Sequence, residues 1–263
     1  MQIRYVMLIS LTAALAACGK ASTRVEIPFS ANFGQAPISC DGSSSPMLTD
    51  LRLYIHDVRL IDVQERAHVV ELDTTPWQQP KLAFLDLEDG TVHCANGTSD
   101  LNHILTGSVE AAEFHKLEFT LGVPFSQNHG DPLQAETPLG DADMHWHWRG
   151  GYKFLRAGLS TVDDGFWMHL GSTGCEGTIQ NITGCTAPNR VTVRLDDFNL
   201  GDGVVIDLAE LVADGTLDDA SPTDCSSGPA EASCAAPFAA IGLSHETGEE
   251  TGVQRIFSRR DSQ

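Results

Sequence analysis

The sequence predicts an all-β protein, an antiparallel β-sandwich with long disulfide-stapled loops and little helix. Three observations carry this. Many short stretches alternate apolar with polar residues and are rich in β-branched and aromatic side chains, which suits a pleated, half-buried surface. Between them lie turn clusters such as Glu88-Asp89-Gly90-Thr91, Gly122-Val123-Pro124 and Thr161-Val162-Asp163-Asp164-Gly165. Helical patterning is confined to a short helix at Asp207–Ala213 and a single turn at Asn102–Leu105.

The N-terminus reads as a targeting segment and is set aside from the fold. Arg4 supplies the positive start, and Tyr5 to Ala17 form an apolar run too short to span a bilayer. It ends in Leu15-Ala16-Ala17-Cys18-Gly19, which resembles the bacterial lipobox. Residues 1–17 are therefore expected to be a signal peptide and Cys18 a lipidated first residue. Residues 18–24 would be a tether, and 25–263 one domain. Gly19, where inner-membrane retention usually shows Asp, favours an outer-membrane destination in the bacterial cell envelope. No other long apolar run exists, so lipid would be the sole anchor.

Strands are expected in order at Val25–Phe33, Leu51–Ile61, His68–Leu72, Ala83–Asp86, Glu113–Leu121, Asp143–Arg156, Gly165–Leu170, Arg190–Leu195 and Val204–Asp207. Residues 214–235, rich in Asp, Ser and Ala, read as a stapled surface excursion. The tail after Ser244 reads as mobile up to a last edge strand at Val253–Phe257.

Acidic residues outnumber basic ones 36 to 16, giving a formal net charge of −20. No basic stripe is available to displace counterions, so nucleic acid is excluded as a partner. An acidic surface suits cations or a basic protein. With Cys18 acylated, six cysteines remain: Cys40, Cys94, Cys175, Cys185, Cys225 and Cys234. An even number in an exported chain reads as disulfides, which can pair in many ways. Local closure suggests Cys175–Cys185 and Cys225–Cys234, leaving Cys40–Cys94. No C-x-x-C occurs, which argues against a thioredoxin-like or thiolate zinc site.

Several residues have chemistry to offer. Tyr54 and His56 fall on one face of a strand, about 7 Å apart; the alternative is a core tyrosine and a histidine bonded locally. Gly122 to Pro132 form a rigid polar loop bracketed by prolines, from which His129 can be aimed or merely exposed. In Asp143–Arg156, read as one extended strand, Met144, Trp146 and Trp148 share one face and His145 and His147 the other. Imidazoles at that spacing can chelate one metal, or simply decorate an outer face over tryptophans packed in the core. His169 sits beside Cys175 and reads foremost as structural. Met144 and Met168 are soft donors that more often fill core gaps. No G-x-S-x-G, H-E-x-x-H, Walker or EF-hand pattern is present. The pairs Asp163/Asp164, Asp196/Asp197 and Asp218/Asp219 leave a carboxylate hydrolase open without selecting one. Trp146, Trp148 and Tyr152 also suggest a stacking platform for a carbohydrate or other cell-surface ligand.

The segments Thr49–Val58, Leu85–Gly90, Cys94–Thr98, Leu121–Pro132, Trp146–Phe154 and His169–Cys175, in that order, resemble the methanobactin-operon MbnP family, the metallo-mystery pair four-Cys-motif proteins. The resemblance spans roughly residues 25–257. It implies a copper-binding protein, with Cu(I) favoured, that is not itself an enzyme. It also implies a dihaem cytochrome c peroxidase-like partner related to MauG, which oxidises a tryptophan of this protein to kynurenine. Related copper proteins present Trp-x-His and a distant second His. Here the first pattern reads Tyr54-Ile55-His56, and His129 stands downstream. Tyr54 replaces the tryptophan, so suspicion for oxidation moves to Trp146 or Trp148. His56 and His129 become the first choice of ligands, with Tyr54 beside them and His145, His147 and His169 in reserve.

Overall fold

The computed structural model describes residues 21–163, 165–179, 181–212, 217 and 224–262. The signal segment, Cys18, Asp164 and Asp218/Asp219 lie outside the described residues, as do 214–216 and 218–223 of the expected 214–235 excursion. The described strands, in chain order, are β1 (Ser22–Phe33), β2 (Ala36–Pro37), β3 (Met47–Asp62), β4 (Ala67–Val69), β5 (Glu71–Leu72) and β6 (Gln78–Gln79). There follow β7 (Leu82–Asp86), β8 (Ile104–Glu110), β9 (Phe114–Leu121), β10 (His145–His147), β11 (Gly151–Ser160) and β12 (Gly165–Gly171). The last are β13 (Thr173–Thr178), β14 (Asn181–Ala187), β15 (Val191–Asp196), β16 (Gly203–Asp207), β17 (Asp224–Cys225) and β18 (Phe257–Arg260). Two short helices, α1 (Phe125–Asn128) and α2 (Ala235–Ile241), complete the set of regular elements used below.

One sheet has the order β18-β16-β1-β8-β5, with β2 on β1. The other runs β15-β9-β3-β11-β12-β17, with β4 and β7 on β3, β6 on β7 and β10 on β11. β13 and β14 form a separate hairpin. The period-two pattern explains why the sheets stack. Val25, Ile27 and Phe29 of β1 are buried, and Phe29 meets Phe119 of β9 edge-on at 5.9 Å across the core. Phe119 in turn meets Phe257 of β18 at 5.3 Å. Leu51, Leu53 and Ile55 of β3 are also fully buried. Each such side chain contributes about 1.5–3 kcal/mol on leaving water.

β3 has a second buried face, and that face holds the site. Arg52, Tyr54 and His56 alternate with the sandwich-facing residues, so they point away from the other sheet, yet their exposures are 3%, 0% and 7%. The chain after β9 covers them. Tyr54 donates its hydroxyl to the Pro138 carbonyl (3.1 Å), and Tyr152 donates to Leu139 (2.6 Å). Phe84, Tyr54 and Tyr152 pack as a row beneath this cover, with ring centroids 4.8 and 5.8 Å apart.

All three expected disulfides form: Cys40–Cys94, Cys175–Cys185 and Cys225–Cys234. Other expectations need correction. β1 begins at Ser22, so the expected tether loses its last three residues to a strand paired with Glu110–Ser108. The pairing is not wholly antiparallel, because β1–β16 and β12–β17 run parallel. These partners are distant in sequence, so no tight turn dictates their direction. Asn102–Leu105 is not a turn of helix: Asn102 bridges to Asp86, and β8 starts at Ile104. The expected helix at Asp207–Ala213 is a 3-10 turn over Leu208–Leu211, capped by the Asp207 carboxylate. The last strand is Phe257–Arg260 rather than Val253–Phe257. The tail before it is tied down by backbone bonds from Ser244 to Glu249 and from Arg255 to Ala240.

The largest correction concerns Asp143–Arg156. It is a 3-10 turn at Ala142–Met144, the short β10, a turn at 148–150 and then β11. Gly151 sits at φ +75°, and a Cβ there would lie 2.2 Å from the Asn128 carbonyl oxygen. Only glycine fits, and the chain folds back on itself. Trp148 is therefore a turn residue and shares no strand face with Trp146.

Candidate metal centre

The site begins where β9 ends. Gly122, at φ +132°, lets the chain leave the sheet while its N–H donates to the Tyr54 carbonyl (2.8 Å). Its carbonyl accepts from His56 Nδ1 at 2.8 Å. A backbone carbonyl can only accept, so Nδ1 carries the proton and the Nε2 lone pair of His56 is left for a ligand. Burial pushes the His56 pKa down, the Gly122 contact opposes this, and the Arg190 charge adds to the depression. The ring is thus held neutral, the form that binds metals.

Pro124 then leads into α1, a single helical turn that delivers His129, 8% exposed. The side-chain oxygen of Asn128 accepts from the Tyr152 N–H (3.0 Å), which fixes the amide so that Nδ2 donates to His129 Nε2 (3.2 Å). Nε2 is therefore the lone-pair nitrogen of His129 as well, and its Nδ1 is buried without a hydrogen-bond partner. Burial lowers its pKa, the backbone of Trp148 and of Arg149 opposes this, and the Arg190 charge adds to the depression. Arg190 donates through Nε to the Val123 carbonyl (2.6 Å) and lies over the Phe154 ring at 4.7 Å. His56 is thus bonded to the start of the segment that carries His129, and burial, with a smaller contribution from one guanidinium, disfavours the charged form of both rings.

Around them the remaining candidates sort by surroundings. Tyr54 belongs to the aromatic row, its hydroxyl taken by Pro138 and its pKa driven well above the usual phenol value by burial. His145 packs edge-on against Tyr152 at 5.0 Å, and its Nε2 is buried with no partner. Its pKa is lowered by burial, then by His147 and Lys153. His147 is exposed, and its Nδ1 accepts from the N–H groups of Arg149 and Gly150, both at 3.2 Å, closing the turn. His169 lies on the outer side of β12, 4.4 Å from the Trp167 ring and 6.5 Å from that of Trp146. Burial drives it down to about 4, aided by Arg156 and Lys153. His145 and His147 do not form a two-ring chelate on a strand face, because the pairing with β11 shifts register between them.

A cavity of about 420 Å³ is lined by Trp146, His147, Arg149, Gly150, Thr173 and Cys175 among others, and by neither His56 nor His129. Trp146 is half-buried at its wall. Trp148 is covered by the Arg149 guanidinium at 4.9 Å. The stacking platform of Trp146, Trp148 and Tyr152 does not exist, since Tyr152 is fully buried. Asp196 ends β15 and Asp197 begins the turn after it, both exposed. Sequence reasoning missed Asn128 and Arg190. Neither carries a motif signal: Asn128 is oriented by the distant Tyr152, and Arg190 reaches Val123 and Phe154, also far away in the chain.

A family model described as MbnP matches residues 22–227. The solved structure of MbnP from Methylosinus trichosporium superimposes with a TM-score of 0.77 at 22% identity, covering 91% of this chain and 99% of that one. At that identity the likeness bears on the fold. No curated protein matches the chain.

Proposed function

The chain belongs to the MbnP family, a family of the methanobactin and copper system, and from that premise we propose that it binds copper as Cu(I) through Nε2 of His56 and Nε2 of His129. One observation carries this reading: two buried imidazoles anchored to one segment, each locked in the tautomer that leaves Nε2 unprotonated. Uncharged imidazoles suit a soft, low-coordinate monovalent ion. His129 must release the Asn128 amide to bind it. The chain acts in copper acquisition or handling and is not an enzyme. It is held in the cell envelope by lipid at Cys18.

Anaerobic Cu(I) titration of the domain against a competing chelator tests the site. His56→Ala and His129→Ala should each weaken binding by about tenfold or more, while His147→Ala, whose ring closes a turn, should not. Equal affinity in wild type and both alanine variants would remove the assignment.

The second half of the proposal makes this protein the substrate of a dihaem cytochrome c peroxidase-like partner. The partner would use two equivalents of peroxide, each reduced to water, to add two oxygen atoms across the C2–C3 bond of an indole of this chain as that bond breaks; hydrolysis of the resulting formyl group would release the carbon as formate and leave kynurenine. Trp146, at the cavity wall, and Trp148, under Arg149, are the two indoles proposed as its targets. Peptide mass spectrometry after co-expression with the partner should find one of them with one carbon fewer and one oxygen more. Recovery of only intact tryptophan would end the substrate reading.

A further inference from the structure

The lone-pair nitrogen of His129 does not face empty space. Cys185 Sγ stands 3.7 Å from it. The sulfur of Cys175 joins them, the three ligand atoms all lying within 4.8 Å of one another. Two ligands on a tetrahedral ion with metal–sulfur and metal–nitrogen bonds of about 2.0–2.3 Å sit about 3.5–3.8 Å apart. The nitrogen-to-sulfur spacing already has that value. While the sulfurs are bonded to each other, neither can act as a thiolate.

We propose that reduction of Cys175–Cys185 unmasks a second metal site, in which both thiolates and His129 Nε2 hold a soft or borderline ion, Cu(I) or Zn(II). The reductant is a dithiol. By thiol–disulfide exchange, its two S–H groups become a disulfide and two protein thiols form. Each protein thiol then gives up its proton on binding the ion.

Three features favour this bond over the other two disulfides. It is approachable: Cys175 lines the 420 Å³ cavity, and Cys185 lines another of about 360 Å³ on the hairpin. Cys40–Cys94 is buried at both ends, with 2% and 0% exposure. The hairpin also survives the cut. β13 and β14 stay paired at Thr173↔Ala187, Glu176↔Gly184 and Gly177↔Ile182, so the sulfurs remain beside His129 while gaining freedom to separate. Gly174 and Gly177, both at positive φ, lend the strands the play this needs. Cys225, Cys234 and Glu231 form a second group of this kind, but there both cysteines are fully buried.

This site shares His129 with the copper reading above but not His56, and it exists only in the reduced protein. Failure of one leaves the other standing. The test compares the oxidised and dithiol-reduced domain, titrated anaerobically with Co(II) and Zn(II) as probes. Reduced wild type should take up an added equivalent of metal, with a thiolate-to-Co(II) charge-transfer band that the oxidised protein lacks. Reduced Cys175→Ser/Cys185→Ser should lose the band, although its other disulfides are equally reduced. His129→Ala should weaken it, and His56→Ala should leave it intact. Should those variants fail to fold, metal-dependent protection from alkylation, mapped by peptide in reduced wild type, reads the same question. Protection of Cys175 and Cys185 supports the site. Protection confined to Cys225 and Cys234, or none, overturns it.

Discussion

Replacing Arg52 by Met should cost about 3–5 kcal/mol of folding stability, the range for removing one partner of a buried ion pair. Arg52 is 3% exposed and sits mid-strand in β3. Its Nε and Nη2 donate to the two oxygens of Asp50 at 2.9 Å each, a two-point clamp only a guanidinium can make. Nε also approaches Glu88 Oε1 at 3.8 Å, and Nη1 approaches Asp141 at 3.8 Å. Across the ladder Arg52 pairs directly with Arg156, whose Nη2 reaches the same Asp50 at 2.7 Å. One carboxylate thus holds two like charges side by side.

Without Arg52, Asp50 keeps Arg156, but Glu88, 1% exposed, keeps no cation. Its Oε1 already lacks a hydrogen bond. The uncompensated carboxylate sets the size of the loss, so Glu88→Gln added to Arg52→Met should recover part of it. Arg52→Lys should fall between, retaining charge and losing the fork. Urea unfolding with an unchanged slope measures all three. A loss below about 1 kcal/mol for Arg52→Met, the scale of an exposed pair, would show that the cluster is solvated.

Sequence pattern was a sound guide wherever one face of a strand meets the sandwich core and the other meets water. β1, β9 and β15 fall within a few residues of expectation for that reason, as does the register that buries Val25, Ile27 and Phe29. Local closure found the disulfides because two of the three bonds span ten and nine residues. The outer face of β3 defeated the pattern. Arg52 and His56 alternate with buried apolar residues, a pattern that ordinarily leaves the polar face in water, and only the segment after Leu121, anchored by Tyr54 and Tyr152, puts them under cover.

β8 was overlooked because Gly107 and Ser108 dilute its pattern. The glycine is required there, since a Cβ would come within 2.5 Å of the Glu71 carbonyl on the neighbouring strand. The Trp-His alternation misled for a different reason. Period two is a strand signal only while the backbone stays extended, and Gly150-Gly151 ends that. As for the site, His56 and His129 could be singled out from sequence. Their tautomers could not, because Gly122, Asn128 and Tyr152 decide them through contacts that fold only in three dimensions.

Asp86→Asn should stabilise the protein at about pH 8 by about 2–4 kcal/mol, and the gain should fade towards about pH 4. Asp86 is 3% exposed, and burial, reinforced by the charge of Glu88, raises its pKa to about 7. In the unfolded chain the same group titrates near about 3.9. Between those values the folded state holds a proton that the unfolded state has released, so stability falls as pH rises, and the full cost is present above about 7. The histidines pull the other way. With His169 held down to about 4 and His56, His129 and His145 also lowered, the unfolded chain takes up protons first as pH drops below about 6.5. Stability therefore falls on the acid side too. Wild type should show a shallow maximum where the opposed slopes cross. The Asn variant, which keeps the side-chain shape and removes the proton, should retain only the histidine slope and climb steadily towards neutral pH. Urea midpoints measured across that window decide it: a wild-type-to-variant gap that is the same at both ends would mean Asp86 is ionised throughout.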